Sequence, residues 1–245
     1  MTAGNEQSLM SHLLELRQRL LHAVVAVLAV FLLLLPFANP LYAWLAVPLK
    51  ETLPPGSQLV AIEVASTFFV PMKLAFFAAL FIAAPYILYQ VWAFVAPALY
   101  DREKNLARPL LLAAGLLFYL GCAFTYFALL PVMFAYLNST APEGVAMMTD
   151  ISRYLDFVLV LFLAFGASFE VPVAVVVLVL IGVVTPEQLR QARGYVVVGI
   201  FILAAIITPP DAISQLMLAI PMMALYELGL IAARLVARRE PAPAR

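Results

Sequence analysis

The chain has 245 residues, 65% hydrophobic and 11% charged, with a formal net charge of zero. Soluble domains carry about 25% charged residues, so this composition belongs in a bilayer, as does the mean hydropathy of +1.03. The charge balance provides no field to attract nucleic acid. One cysteine, Cys122, excludes an internal disulfide. His12 and His22 have no cluster of further ligand types around them, so no metal or other cofactor is expected.

A helix needs about 20 mostly apolar residues to span a bilayer. Six stretches are candidates: 20–37, 68–96, 110–137, 154–184, 195–207 and 212–236. Before the first lies SHLLELRQRL (11–20), an amphipathic stretch. In it Ser11 is a candidate N-cap, Leu13, Leu14, Leu16 and Leu20 form an apolar face, and Glu15 and Arg19 are i,i+4 partners. The first apolar run is longer than a signal-peptide core and five more follow, so it reads as a retained anchor. Residues 38–67 contain LYAWLAVPL, which suits an interfacial helix or a cap over the outer face, and then the turn signal PPG.

The second span ends at FVAPALYDREKN (94–105). Pro97 bends its exit, and Asp101 and Glu103 sit among Arg102, Lys104 and Arg108. Such a loop is either a solvated charge cluster or an acidic spot able to hold a cation. Glu15 and Glu103 on one face would together suit a dibasic ligand, because guanidinium and carboxylate pair as forks.

The fourth span carries the costliest residue, Glu170, within AFGASFEVPVAVVV (164–177). A charged acid near mid-membrane costs about 2.5–3.5 kcal/mol on insertion scales. Pro172 also deprives the Ser168 carbonyl of its helical donor. Ser168, Glu170 and that carbonyl form an expected polar spot for a partner helix, an ion or a proton. The fifth span has 13 residues, about 20 Å of helix against a core of about 30 Å, so the bilayer is expected to thin beside it. TPPDAISQ (208–215) is a tight turn in which Asp211 caps the last span; Glu227 lies near the other end of that span.

Eleven of the fourteen Lys and Arg residues fall on the side holding both termini, which is therefore the cytoplasmic side. The expected fold is an all-α polytopic membrane protein in one integral domain. It has six transmembrane helices, both termini inside, short helices 5 and 6, and proline kinks shaping a concave bundle. No nucleophile–base pair, HExxH, Walker loop or GxGxxG is present, so the chain is not expected to be an enzyme. A secondary transporter using Glu170 as a coupling carboxylate is the alternative, without an inverted repeat or a second midplane acid to support it.

SHLLELRQRL, FVAPALYDREK, SFEVPV and TPPDAISQLMLAIPMMALYELGL, in this order, resemble the TatC family, the multispanning receptor subunit of the twin-arginine translocase. The resemblance runs from about residue 8 to about residue 236. It implies a receptor in the bacterial inner membrane that binds the twin-arginine signal peptides of folded cargo. It further implies assembly with further copies of itself and with single-span TatA and TatB, and export driven by the proton-motive force. It places signal-peptide binding at Glu15, Arg17, Phe94, Pro97 and Glu103. Partner-helix docking is placed at Glu170, with Ser168 and Pro172 beside it, and outer-loop function at Pro48 and Asp211.

Overall fold

The computed structural model describes residues 3–52, 58–95, 104–140, 148–208 and 211–237. The charged loop with Pro97, Asp101, Arg102 and Glu103 lies outside the described residues. In chain order the elements are α1 (Ala3–Leu34), α2 (Ala38–Leu45), α3 (Val47–Thr52), β1 (Gln58–Val60), α4 (Ser66–Val95) and α5 (Lys104–Phe124). After these come α6 (Leu130–Ser139), β2 (Met148–Asp150), α7 (Ile151–Leu180), α8 (Pro186–Gln191), α9 (Arg193–Ile207) and α10 (Ala212–Ala237).

Five helical stretches are long and apolar enough to cross a membrane: Leu13–Glu51, Ser66–Phe94, Arg108–Ser139, Ile151–Leu180 and Ala212–Ala237. Arg193–Ile207 is a shorter apolar helix, as the sequence predicts for the fifth span. The expected short sixth helix is not short. At 26 residues α10 reaches about 39 Å, enough for the hydrocarbon core. Ser11 is not an N-cap, because α1 begins at Ala3 and carries it in the helix interior.

Two other boundaries have local causes. The fourth span was expected to run to Val184, but α7 stops at Leu180 because Gly182 adopts φ 74°. There the Val183 N–H bonds the Leu178 carbonyl and the Gly182 N–H bonds that of Val179, the pair of contacts that closes a Schellman C-cap. The helix also starts earlier than expected, since Asp150 caps it by accepting the Arg153 N–H. Between α5 and α6, residues Thr125–Leu129 form a π turn, with the Leu130 N–H reaching back to the Thr125 carbonyl. Pro131 has no N–H to give the carbonyl four residues back, and its ring crowds that position, so the ladder widens.

The chain divides into two compact units. The first comprises Met1–Tyr42 and Pro71–Gly115. Its core is Val27 against Ala79 and Ala83, flanked by Val30, Phe31, Leu34, Leu80 and Ile87. The two alanines bring α1 and α4 close, and Phe31 meets Phe76 edge-on at 5.7 Å.

The second unit comprises Ala43–Val70 and Leu116–Arg245, centred on α7. Leu155, Val158, Leu161 and Phe165 of that helix are fully buried. Glycines permit its contacts. A Cβ on Gly229 of α10 would lie 2.9 Å from Pro172 Cα, and one on Gly121 of α5 would lie 2.9 Å from the Phe165 carbonyl oxygen. The LYAWLAVPL stretch is helical, as α2 and α3. Trp44 stacks on Tyr126 at 4.3 Å, the Tyr126 hydroxyl donates to the Trp44 carbonyl, and Tyr154 donates to that of Leu45 at 2.7 Å. An all-helical reading misses one detail: β1 and β2 pair in parallel, Gln58 opposite Met148.

Candidate functional site

The first unit contains a polar cleft of about 270 Å³ lined by Glu15, Gln18, Arg19, His22 and Gln90. Four of these come from α1 at spacings i, i+3, i+4 and i+7, which puts them on one helix face. Gln90 comes from α4. The Arg19 guanidinium donates through Nε at 3.0 Å and Nη2 at 2.5 Å, both to Glu15 Oε1. The pair is partly exposed, with 38% of the Glu15 side chain accessible. Glu15 Oε2 takes no bond from any described residue.

Of the other residues expected at this site, Phe94 is half-buried one turn beyond Gln90 on the same face of α4. Arg17 is exposed and sits about 200° round α1 from Glu15, off the cleft. Pro97 and Glu103 lie outside the described residues. The sequence reading missed Gln18, His22 and Gln90. The first two were legible as positions i+3 and i+7 from Glu15. The third was legible as an amide inside an apolar span.

The expected mid-membrane spot is not one cluster. Ser168 and Pro172 are i,i+4 neighbours, while Glu170 lies about 200° from each, on the opposite side of α7. Ser168 donates to the Ala164 carbonyl at 2.6 Å. It lines an apolar groove of about 530 Å³ with Ala164, Val171, Leu203 and Ile206. Pro172 packs on Gly229. Glu170 Oε1 is buried with no hydrogen-bond partner among the described residues. A buried acceptor left unpaired costs about 1–3 kcal/mol, so the fold carries Glu170 at a loss unless a further donor arrives.

Pro48 is buried in α3. Asp211 caps α10, accepting the Ser214 N–H at 2.8 Å. Toward the other end of that helix Arg193 pairs with Glu227 at 2.5 Å, and Tyr226 donates to the Leu189 carbonyl.

A sequence model of the family described as Sec-independent protein translocase protein (TatC) matches residues 11–221. The chain belongs to the TatC family. The TatC of Escherichia coli strain K12 is 52% identical over 234 residues, covering 96% of this chain and 91% of the relative. That of Haemophilus influenzae strain Rd is 49% identical, covering 93% and 89%. That of Deinococcus radiodurans strain R1 is 38% identical, covering 92% and 85%. A crystal structure of the twin arginine translocase receptor TatC superposes with a TM-score of 0.83 at 38% identity, covering 93% of this chain and 100% of that one. This TatC-family chain is accordingly a multi-pass membrane protein of a protein-translocase family. That membership sets aside the small-solute transporter alternative.

Proposed function

We propose that the chain is the receptor subunit of a twin-arginine translocase and that the Glu15 cleft, completed by Glu103 from the loop after α4, binds the paired arginines of a signal peptide. The observation that carries the reading is the Arg19–Glu15 contact: the cleft already holds a guanidinium, with a carboxylate oxygen to spare. A ligand arginine would take over that carboxylate as Arg19 swings into water. The exchange is inexpensive, since the pair is only partly buried and an i,i+4 helical pair at a surface is worth about 0.3–0.5 kcal/mol. The distribution of Lys and Arg supports six spans with both termini cytoplasmic, which puts the cleft on the side where a signal peptide arrives.

Partner docking belongs to Glu170. A polar side chain on the single span of a TatA- or TatB-type subunit would supply the donor that Oε1 lacks. Pro48 and Asp211 act at the outer face by holding α3 and the start of α10 in place. Copies of the chain assemble with these partners in the bacterial inner membrane, and the proton-motive force drives export. The work is binding rather than catalysis.

The test is a titration of the chain in nanodiscs with two synthetic peptides, one bearing the arginine pair and one with lysines in its place. The arginine peptide should bind at least tenfold tighter, and Glu15→Gln and Glu103→Gln should each weaken its binding. Equal binding of the two peptides by the unaltered protein would exclude the reading.

A further inference from the structure

Gln90 is the most enclosed of the residues lining the cleft. It is only 8% exposed, and its side chain makes no hydrogen bond to any described residue. A glutamine side chain offers an oxygen with two lone pairs and an amide with two N–H groups. Neither amide atom is among the sealed, unpartnered ones, so both are reachable from the cleft, where a ligand's polar groups can meet them.

The chemistry of the lining narrows the choice. Glu15 attracts any cation and does not by itself separate arginine from lysine. Arginine presents five N–H donors in a rigid planar fork with more than one usable edge, whereas lysine presents three around a single point. A carboxylate on one wall and a neutral carbonyl oxygen on another suit the fork. The compact ammonium can satisfy the first and leave the second empty.

Resting on the receptor reading above, we infer that Gln90 is a specificity-determining residue of this cleft: its side-chain oxygen accepts an N–H from the ligand guanidinium while Glu15 holds another edge. Discrimination between arginine and lysine then comes from the buried amide, and general attraction of cations from the carboxylates. A site built to hydrogen-bond its ligand rejects an analogue that leaves its polar groups unpaired.

The two-peptide titration in nanodiscs, repeated with Gln90→Leu and Gln90→Asn, tests the inference. Leucine keeps the volume and removes the amide; asparagine keeps the amide and withdraws it by one methylene. Both variants should lose about tenfold in affinity for the arginine peptide, the scale of one buried hydrogen bond, with weak binding of the lysine peptide unchanged. Should Gln90→Leu unfold early, Gln90→Asn decides alone. If both affinities fall alike, or neither changes, Gln90 does not set specificity, and the receptor reading stands. If the unaltered protein prefers neither peptide, the receptor reading fails and takes this inference with it.

Discussion

Tyr136 and Asp211 are joined at 3.1 Å: the tyrosine hydroxyl donates to Asp211 Oδ1, the same oxygen that accepts the Ser214 backbone N–H. The Ser214 N–H above all holds the Asp211 carboxyl below the usual carboxylate range, with burial pulling the other way and the Tyr136 hydroxyl helping. A carboxylate with a lowered folded-state pKa stabilises the fold above its unfolded value of about 3.9, and the contribution fades as pH falls through the lower folded value. Asp211→Asn keeps the cap without the charge. The gap in unfolding midpoint between the two proteins in detergent should therefore be open at neutral pH and narrow below about pH 4. A gap that widens on acidification would contradict this.

Gly229→Ala should destabilise the second unit by about 1–3 kcal/mol, as overpacking does. The added Cβ would sit 2.9 Å from Pro172 Cα, which is backbone inside a helix and cannot rotate away. Thermal unfolding in detergent measures the loss. An unchanged midpoint would mean that α7 and α10 part without cost.

Glu170→Leu should leave the unfolding midpoint unchanged or raise it, because it removes a buried acceptor without a partner. The same variant should lose crosslinking to a TatA- or TatB-type subunit and lose export. A residue kept for its binding role commonly shows this opposition of stability and function. A less stable variant with full export would reverse the assignment.

Arg19→Gln should strengthen binding of the arginine peptide about twofold, because it removes an internal competitor whose pairing is worth about 0.3–0.5 kcal/mol. Weaker binding would show instead that Arg19 orients Glu15 for its ligand.

The five long membrane helices were legible because long, mostly apolar stretches have few alternatives to a membrane helix, and the Asp211 cap was legible from its place after two prolines. Boundaries set by single backbone events were not: the φ of Gly182, the π turn ahead of Pro131 and the Asp150 cap each needed coordinates. Glu15 was readable as half of an i,i+4 pair, but the cleft was not, since Gln90 reaches it from a helix about 70 residues away. The Ser168–Glu170–Pro172 spot failed for a simpler reason. Proximity in sequence was read as proximity in space, whereas residues two apart on a helix face opposite ways.

Site-specific photocrosslinking from position 103 to a labelled twin-arginine signal peptide, in native membranes with partner subunits present and a two-lysine peptide as control, tests the central claim most directly. A crosslink to the arginine peptide alone is the expected result. No crosslink, or equal crosslinks to both peptides, with the protein correctly inserted, would contradict the assignment of this face as the signal receptor.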